Sequence, residues 1–423
     1  MIIQNRWVAT GLHRLKDYFN HPYSNMLVDP ILRWLTPTTG SIAAPRPIDQ
    51  GIPDPFADCK KPLTLSEAET IYAISIAMQQ KLWKSVLSQR QHRARSIFLI
   101  QRSGAAFRQL PFVNSDFTLN NQDPENLDLF QVLYAQITLK QMTTFFRYPD
   151  AFATFKRAAR QSIQSMVKAR IASKTQAGPL FRVLVVGAST NEEVYTLALI
   201  LAELLQEQWV RSKPLQGLLK GPITLSDWIH IDAVDDYSHI KTHYADLVDE
   251  GTYPAFLCEE IPSATLAFAL QYGYLGQSAD TLQIGTTLRS VVTMHDIKMQ
   301  TENCHLHPVF STPYHTVSCN KTLGYLSDVA DTPAKAQQVQ AIIDLIDGGS
   351  LLAPGGLYIT DELHIRATHE QLKAAAVRLL ANQEPPPYLT VKVGHIDHKL
   401  FTCLTPAEQQ KICAVYQKWP LRR

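Results

Sequence analysis

The stretch Phe181–Glu203, FRVLVVGASTNEEVYTLALILAE, constrains the fold more than any other. Val183, Leu184, Val185 and Val186 are consecutive and aliphatic, the pattern of a strand buried on both faces, and the run stops at Gly187. Helical spacing then takes over through Val194, Leu197, Ala198, Leu201, Leu204 and Leu205. Ser189 or Thr190, followed by Glu192 or Glu193, reads as a capping box at the start of that helix. A strand, a glycine turn and a capped helix form the first unit of an open α/β sheet. Ligands of such sheets lie beyond the carboxyl ends of the strands, and Gly187 is expected to leave its backbone open to one.

The acids of this turn have two readings, helix caps or ligand-holding groups. The neighbouring text favours the second. Trp228–Asp236, WIHIDAVDD, reads as a second strand ending in carboxylates, and an acid at that tip is where such folds hold the two hydroxyls of an adenosine ribose. Neither G-x-G-x-x-G nor G-x-x-x-x-G-K-[ST] occurs, so dinucleotide binding and P-loop chemistry gain no support.

With 423 residues, 45% of them hydrophobic, the chain is long enough for two or three domains with a sizeable core. A formal net charge of +2 gives no electrostatic case for nucleic acid as a partner. No run reaches the ~18 apolar residues of a membrane span. The first residues carry too many charges for a signal peptide. The six cysteines lack CxxC spacing, as expected for reduced thiols and a cytoplasmic protein. Cys304-His305-Leu306-His307 hints at a metal site but lacks a full ligand set, so incidental histidines in a loop are the simpler reading.

Along the chain, prolines break up residues 1–60, an extension. Residues 61–147 read as a helical domain: Thr64–Phe107 opens on a cap signal, and Leu127–Arg147 is expected to be a further helix, ended by Pro149. Arg90, His92, Arg93 and Arg95 form either a solvated face or a surface for an acidic partner. Residues 148–423 carry the sheet. Ala151–Ser173 is a basic amphipathic helix with Phe152, Phe155, Ala159, Ile163 and Met166 on one side, and Tyr237–Gly251 is another helix. A small antiparallel insertion is expected over about 255–292, drawing on TLQIG and LRSVVTMHD. Further elements are a strand at Tyr314–Cys319, a helix at Thr332–Ile346, a strand through LLAPGGLYITDEL and a hairpin made by PYLTVKVG and HKLFTCL. This order describes a doubly wound α/β sheet behind a helical domain.

Several words of the sequence, in order, resemble the CheR-type family, S-adenosylmethionine-dependent methyltransferases that esterify glutamate side chains of chemotaxis receptors. The family's T-x-FFR-[DE]-P is matched by Thr143-Thr144-Phe145-Phe146-Arg147-Tyr148-Pro149, and its G-C-S-T-G-E-E-P-Y-S-L-A by Gly187–Ala198. Its A-T-D-I-D with a later G-x-Y is echoed by Ala233–Tyr237 and Gly251-Thr252-Tyr253. His295-Asp296-Ile297 stands opposite H-N-L, Cys319–Leu326 opposite C-R-N-V-L-I-Y-F, and Leu352–Gly356 opposite L-x-P-G-G. The likeness spans roughly residues 65–370.

The resemblance implies a Rossmann-like methyltransferase sheet with a small β-subdomain, S-adenosylmethionine as cofactor, and a protein or small-molecule methyl acceptor. By it, Glu193 holds the amino end of the ligand, Asp235 takes the ribose hydroxyls, and Asp296 faces the adenine. Thr143, Arg147, Gly187 and Asn320 complete the cofactor-binding set. Arg147 orients an acceptor carboxylate and Tyr325 helps position it; the plainer alternatives are a salt-bridged arginine and a core tyrosine. Methyl transfer to a carboxylate needs alignment and exclusion of water more than a strong base. The chain departs from the family at Asn191, for glycine; Val194, for proline; Asp296, for an amide; and Asn320-Lys321, for Arg-Asn. These changes motivate an alternative, a catalytically inactive CheR-like fold serving as a ligand-binding or regulatory module.

Overall fold

The computed structural model describes residues 62–83, 93–104, 107, 143–175, 178, 180–299, 301, 303–320, 322, 326, 332–347, 349–361, 400–406 and 413–419. The chain divides into two compact units, 1–142 and 143–423.

In the first unit, helices α1 (Leu65–Trp83) and α2 (Arg93–Ser103) pack together. The cap signal at the start of α1 is a reciprocal box: the Thr64 N–H donates to the Glu67 carboxylate at 2.6 Å and the Glu67 N–H to the Thr64 hydroxyl at 3.2 Å. Arg93 pairs with Glu69 across the two helices at 3.0 Å, and Arg95 is buried rather than solvated. Arg90, His92 and residues 108–142 of the expected helices lie outside the described residues.

The second unit is built on a seven-stranded sheet, ordered β6-β2-β1-β7-β8-β10-β9. Its strands are β1 (Phe181–Val186), β2 (Ile229–Asp235), β6 (Val292–Asp296), β7 (Tyr314–Cys319), β8 (Leu352–Thr360), β9 (Phe401–Cys403) and β10 (Ala414–Lys418). The first five run parallel, whereas β10 is antiparallel to both β8 and β9. Because β2 lies on one side of β1 and β7 on the other, the strand order reverses at β1. This is the doubly wound pattern, and the reversal marks the ligand crevice of such sheets.

The sheet is buried on both faces, which is why β1 carries no polar alternation. Leu184, Val186, Val234, Val317 and Cys319 join Val339, Ile342, Ile343 and Ile346 of helix α9 (Pro333–Asp347) in one core. The alternate side chains Val183, Val185, Ile231 and Ala233 are also buried. Helices α3 (Pro149–Ser173) and α4 (Glu192–Arg211) pack on one another, α3 also against β8 and β10 and α4 against β2. Met166 is only partly buried, and Val167 and Arg170 take the later core positions of α3. Arg170 spans its end of the fold: its guanidinium lies 3.8 Å over the Trp228 ring and donates to the carbonyls of Gly178 at 3.2 Å and Asp227 at 2.6 Å.

Three expectations are corrected. Pro149 opens α3 instead of merely ending a helix, because the first helical position has no N–H to lose. Residues 143–147 form a turn, with Phe146 at φ 51°, not the end of a helix. The small sheet, ordered β3-β5-β4, consists of β3 (Thr252–Pro254), β4 (Leu275–Gln277) and β5 (Thr281–Ile284). The segment LRSVVTMHD does not belong to it: a one-turn helix, Thr286–Arg289, leads into β6 of the main sheet, where an edge position accounts for the half-polar alternation. The strand β9 pairs with β10, and residues 387–394, the other half of the expected hairpin, lie outside the described residues.

Candidate functional site

The parallel strands β6, β2, β1 and β7 end side by side, and the residues following each tip differ in chemistry. At β1 the chain turns back along β2: the Gly187 and Ala188 N–H groups donate to the Val234 carbonyl at 2.9 and 3.2 Å. The next N–H, of Ser189, donates to Asp235 Oδ2 at 2.6 Å, and the Asp236 N–H donates to Asp235 Oδ1 at 2.8 Å. The tips of β1 and β2 therefore meet. Desolvation pushes the Asp235 carboxyl up, and those two N–H groups oppose the shift. Asp296 lies directly opposite Asp235 in the β2–β6 register. It accepts the hydroxyl and the N–H of Ser238, the latter at 3.0 Å, which hold its carboxyl below the usual range. Ser238 sits in the first turn of helix α6 (Tyr237–Ala245).

On the β7 side, Glu193 in the first turn of α4 accepts the Ser318 hydroxyl and the Asn320 amide, the latter at 2.9 Å. Desolvation raises its carboxyl, and these two donors pull it back. Farther along the same edge, the Tyr148 hydroxyl donates to Asp361, which follows β8. The Arg147 guanidinium lies 5.3 Å from the Tyr148 ring centroid, and its field favours the ionised form of Glu193 while Asp361 disfavours it. Cys413, just before β10, holds its thiol 3.6 Å from the Asn320 side-chain oxygen.

The structure thus brings Gly187, Glu193, Asp235, Asp296 and Asn320 to one row of strand ends, with Arg147 beside Glu193. Thr143 is partly buried and its neighbour Thr144 donates to Glu260 at 2.8 Å; Tyr325 lies outside the described residues. A cleft of about 410 Å³ opens beyond β6, lined in part by Asp296, Lys298, Asn303 and His307.

Local details differ from the sequence reading. No capping box starts α4: its cap is Asn191 at φ 73°, with no side-chain cap bond, and Thr190 donates instead to the Glu192 carboxylate at 2.7 Å. The Asn191 side chain is buried; its oxygen accepts the Tyr237 hydroxyl at 2.5 Å and its amide lies 3.4 Å from the Met294 sulfur. Nor is the Gly187 α-carbon bare for a ligand: a Cβ added there would sit 1.9 Å from the Thr322 hydroxyl, which donates to the Val186 carbonyl at 3.1 Å. Sequence reasoning passed over Thr322, Ser318, Tyr148 and Asp361. It gave Tyr253 no role, yet that hydroxyl donates to the Thr190 carbonyl at 2.6 Å and braces the turn from the small sheet. Among the described residues no group of His, Cys, Asp and Glu is arranged to hold a metal, and no helix is long and apolar enough to cross a membrane.

No protein-family model matches the sequence, and no curated protein matches it. Solved structures overlap it loosely. A possible exported protein from Bordetella parapertussis aligns over 84% of this chain and 97% of its own at 11% identity and a TM-score of 0.25. The [4+2]-cyclase SpnF covers 62% of this chain and 82% of its own, at 10% identity and a TM-score of 0.20. A proposed sarcosine dimethylglycine methyltransferase from Galdieria sulphuraria covers 61% and 86%, at 9% identity and a TM-score of 0.18. Scores this low carry nothing about chemistry, and no family is assigned by them.

Proposed function

We propose that the second unit binds S-adenosylmethionine and transfers its methyl group to an oxygen nucleophile, in the manner of the CheR-type enzymes the sequence resembles. The observation that carries this reading is the row of acids about the reversal of strand order. Asp235 and Asp296 stand on adjacent tips to one side of Gly187, and Glu193 stands to the other. In this reading Asp235 accepts both ribose hydroxyls, Asp296 accepts from the adenine amino group, and Glu193 takes the ammonium of the methionine end. An ionised carboxylate has lone pairs left after accepting one N–H on each oxygen, so the bonds from Ser189 and Asp236 leave Asp235 competent. Arg147 orients an acceptor carboxylate, with Tyr325 and Thr143 completing the surround.

Calorimetry with S-adenosylhomocysteine tests the proposal. Two hydrogen bonds to a charged acceptor contribute about 3 kcal/mol, so Asp235→Ala is expected to weaken binding roughly 100-fold. Absence of binding heat for the wild type overturns the reading. One observation favours a catalytically silent, ligand-binding module instead: Thr322 fills the space at Gly187. Cofactor binding without methyl transfer to any protein of the source cell would select that alternative.

A further inference from the structure

We propose that Tyr237 and Asn191 form a positioning latch for Asp235, the carboxylate assigned above to the ribose hydroxyls. The inference rests on the proposed methyltransferase reading and adds to it two residues to which the resemblance assigns no role. Asn191 stands where the family has glycine, and Tyr237 follows the two acids at the end of β2. The N–H groups that hold Asp235 belong to two different segments: Ser189, which donates to Oδ2, lies in the turn after β1, and Asp236, which donates to Oδ1, lies between β2 and α6. Asn191 is two residues beyond Ser189, and Tyr237 is one beyond Asp236. The Tyr237 hydroxyl donates to the Asn191 side-chain oxygen at 2.5 Å. That bond closes a ring, from Asp235 through Ser189, Asn191, Tyr237 and Asp236 back to Asp235.

Both partners are buried, Asn191 at 0% and Tyr237 at 2% exposure. The Asn191 amide also donates to the Met294 sulfur at 3.4 Å, in β6 and two residues before Asp296, so one side chain links the segments at three neighbouring strand ends. Its backbone lies at φ 73°, a region that asparagine tolerates better than most residues. Other bonds act on other parts of the turn. The Gly187 and Ala188 N–H groups bind the Val234 carbonyl, the Asn191 N–H closes the turn on the Ala188 carbonyl at 2.9 Å, and the Tyr253 hydroxyl braces the Thr190 carbonyl. Those ties fix the turn to β2 before Asp235 and to the small sheet, whereas the Tyr237–Asn191 bond fixes it to the segment after Asp235. Burial pushes the Tyr237 phenol well above its ordinary range, so it stays protonated and remains a donor. A carboxylate whose two donors keep a fixed spacing presents its remaining lone pairs in one direction, which is the preorganisation that a pair of ribose hydroxyls requires.

The test compares S-adenosylhomocysteine with its 2′-deoxy analogue by calorimetry on the full chain. The analogue lacks one of the two hydroxyls assigned to Asp235, so the ratio of the two affinities reads the ribose contact, while a general loosening of the fold weakens both ligands alike. Tyr237→Phe keeps the ring and removes the donor; Asn191→Gly removes the acceptor on a backbone that glycine adopts without strain. The wild type is expected to prefer S-adenosylhomocysteine by about tenfold or more. Each variant is expected to lower that ratio at least about threefold while holding the affinity for the 2′-deoxy analogue within about twofold. The double variant is expected to match the single ones, because both cut one bond. A ratio that stays at the wild-type value in either folded variant, or an equal loss for both ligands, overturns this inference alone. A wild type that binds the two ligands equally overturns the ribose assignment of Asp235, and the latch with it. Missing heat for S-adenosylhomocysteine in the wild type instead overturns the proposed function as a whole.

Discussion

Gly187→Ala is the substitution whose cost can be worked most directly from the structure. The new Cβ would lie 1.9 Å from the Thr322 hydroxyl oxygen and 2.9 Å from its Cβ and Cγ2, on a backbone at φ 75°. A non-glycine residue in the left-handed region costs about 1–2 kcal/mol. Thr322 must also move, giving up its bond to the Val186 carbonyl, worth about 1 kcal/mol, and strain of overpacking adds about 1 kcal/mol or more. The expected loss is therefore about 3–5 kcal/mol. Urea unfolding of the single variants Gly187→Ala and Thr322→Gly and of their combination measures it as a double-mutant cycle. Removing the Thr322 side chain is expected to recover the steric part, leaving a coupling of about 2 kcal/mol and a residual penalty from the dihedral alone. Coupling within about 0.5 kcal/mol of zero would refute the claim that Thr322 occupies the space a side chain at 187 needs.

Other outcomes follow from the same structure. Burial alone would push Asp232 up, but His230, His295 and Arg182 hydrogen-bond it and hold it well below the usual carboxylate range. A depressed carboxyl stabilises fully above its unfolded value and loses that contribution as pH falls through the acid range, so Asp232→Asn is expected to flatten the stability profile below about pH 4, read by urea midpoints at each pH. Arg170→Ala removes the contact with Trp228 and both carbonyl bonds, and is expected to cost about 2–4 kcal/mol in the same assay. Thr64→Ala breaks the capping box of α1, costing about 1 kcal/mol and speeding hydrogen exchange at the first turn. The raised carboxyl of Asp235 makes S-adenosylhomocysteine binding fall on acidification as Asp235 protonates; calorimetry across that range, repeated on Asp235→Asn, is expected to show the variant weak at every pH with a shallower decline.

At the centre of the sheet β1 was legible because burial on both faces leaves an apolar run, and β2, β7 and α9 were read as well, although β2 and β7 carry polar residues. The edges were not. Val292–Asp296 mixes apolar and polar residues because β6 is an edge strand with no fully buried residue, and on sequence alone that mixture is indistinguishable from a small antiparallel hairpin. Helix α7 (Ser263–Gln271), SATLAFALQ, has no side-chain cap bond and buries only Thr265 and Ala269, so it gave no apolar period to read. Ala414–Lys418 is five residues long, without flanking turn signals, and its place inside the sheet depends on pairing with distant strands. The site divides in the same way. Gly187, Glu193 and Asp235 were visible from strand and helix ends, whereas Thr322 reaches Val186 over 136 positions and Asp361 reaches Tyr148 over 213. Nothing local marks such partners. Asn191 shows the limit from the other side: the sequence marks it as a departure from the family's glycine, but not that its side-chain oxygen would turn inward to accept the Tyr237 hydroxyl.

The placement of β10 bears on how the chain is made. On a ribosome β9 emerges first, yet its neighbour in the sheet among the described residues is the strand that follows it. Until residues 414–418 have left the exit tunnel, neither β8 nor β9 can make its pairing with β10. Cys413, which abuts Asn320, is drawn in by the same closing step. Pairing of β10 and the approach of Cys413 to Asn320 are thus completed together, and nascent chains stopped before residue 414 should lack both beside an already assembled centre.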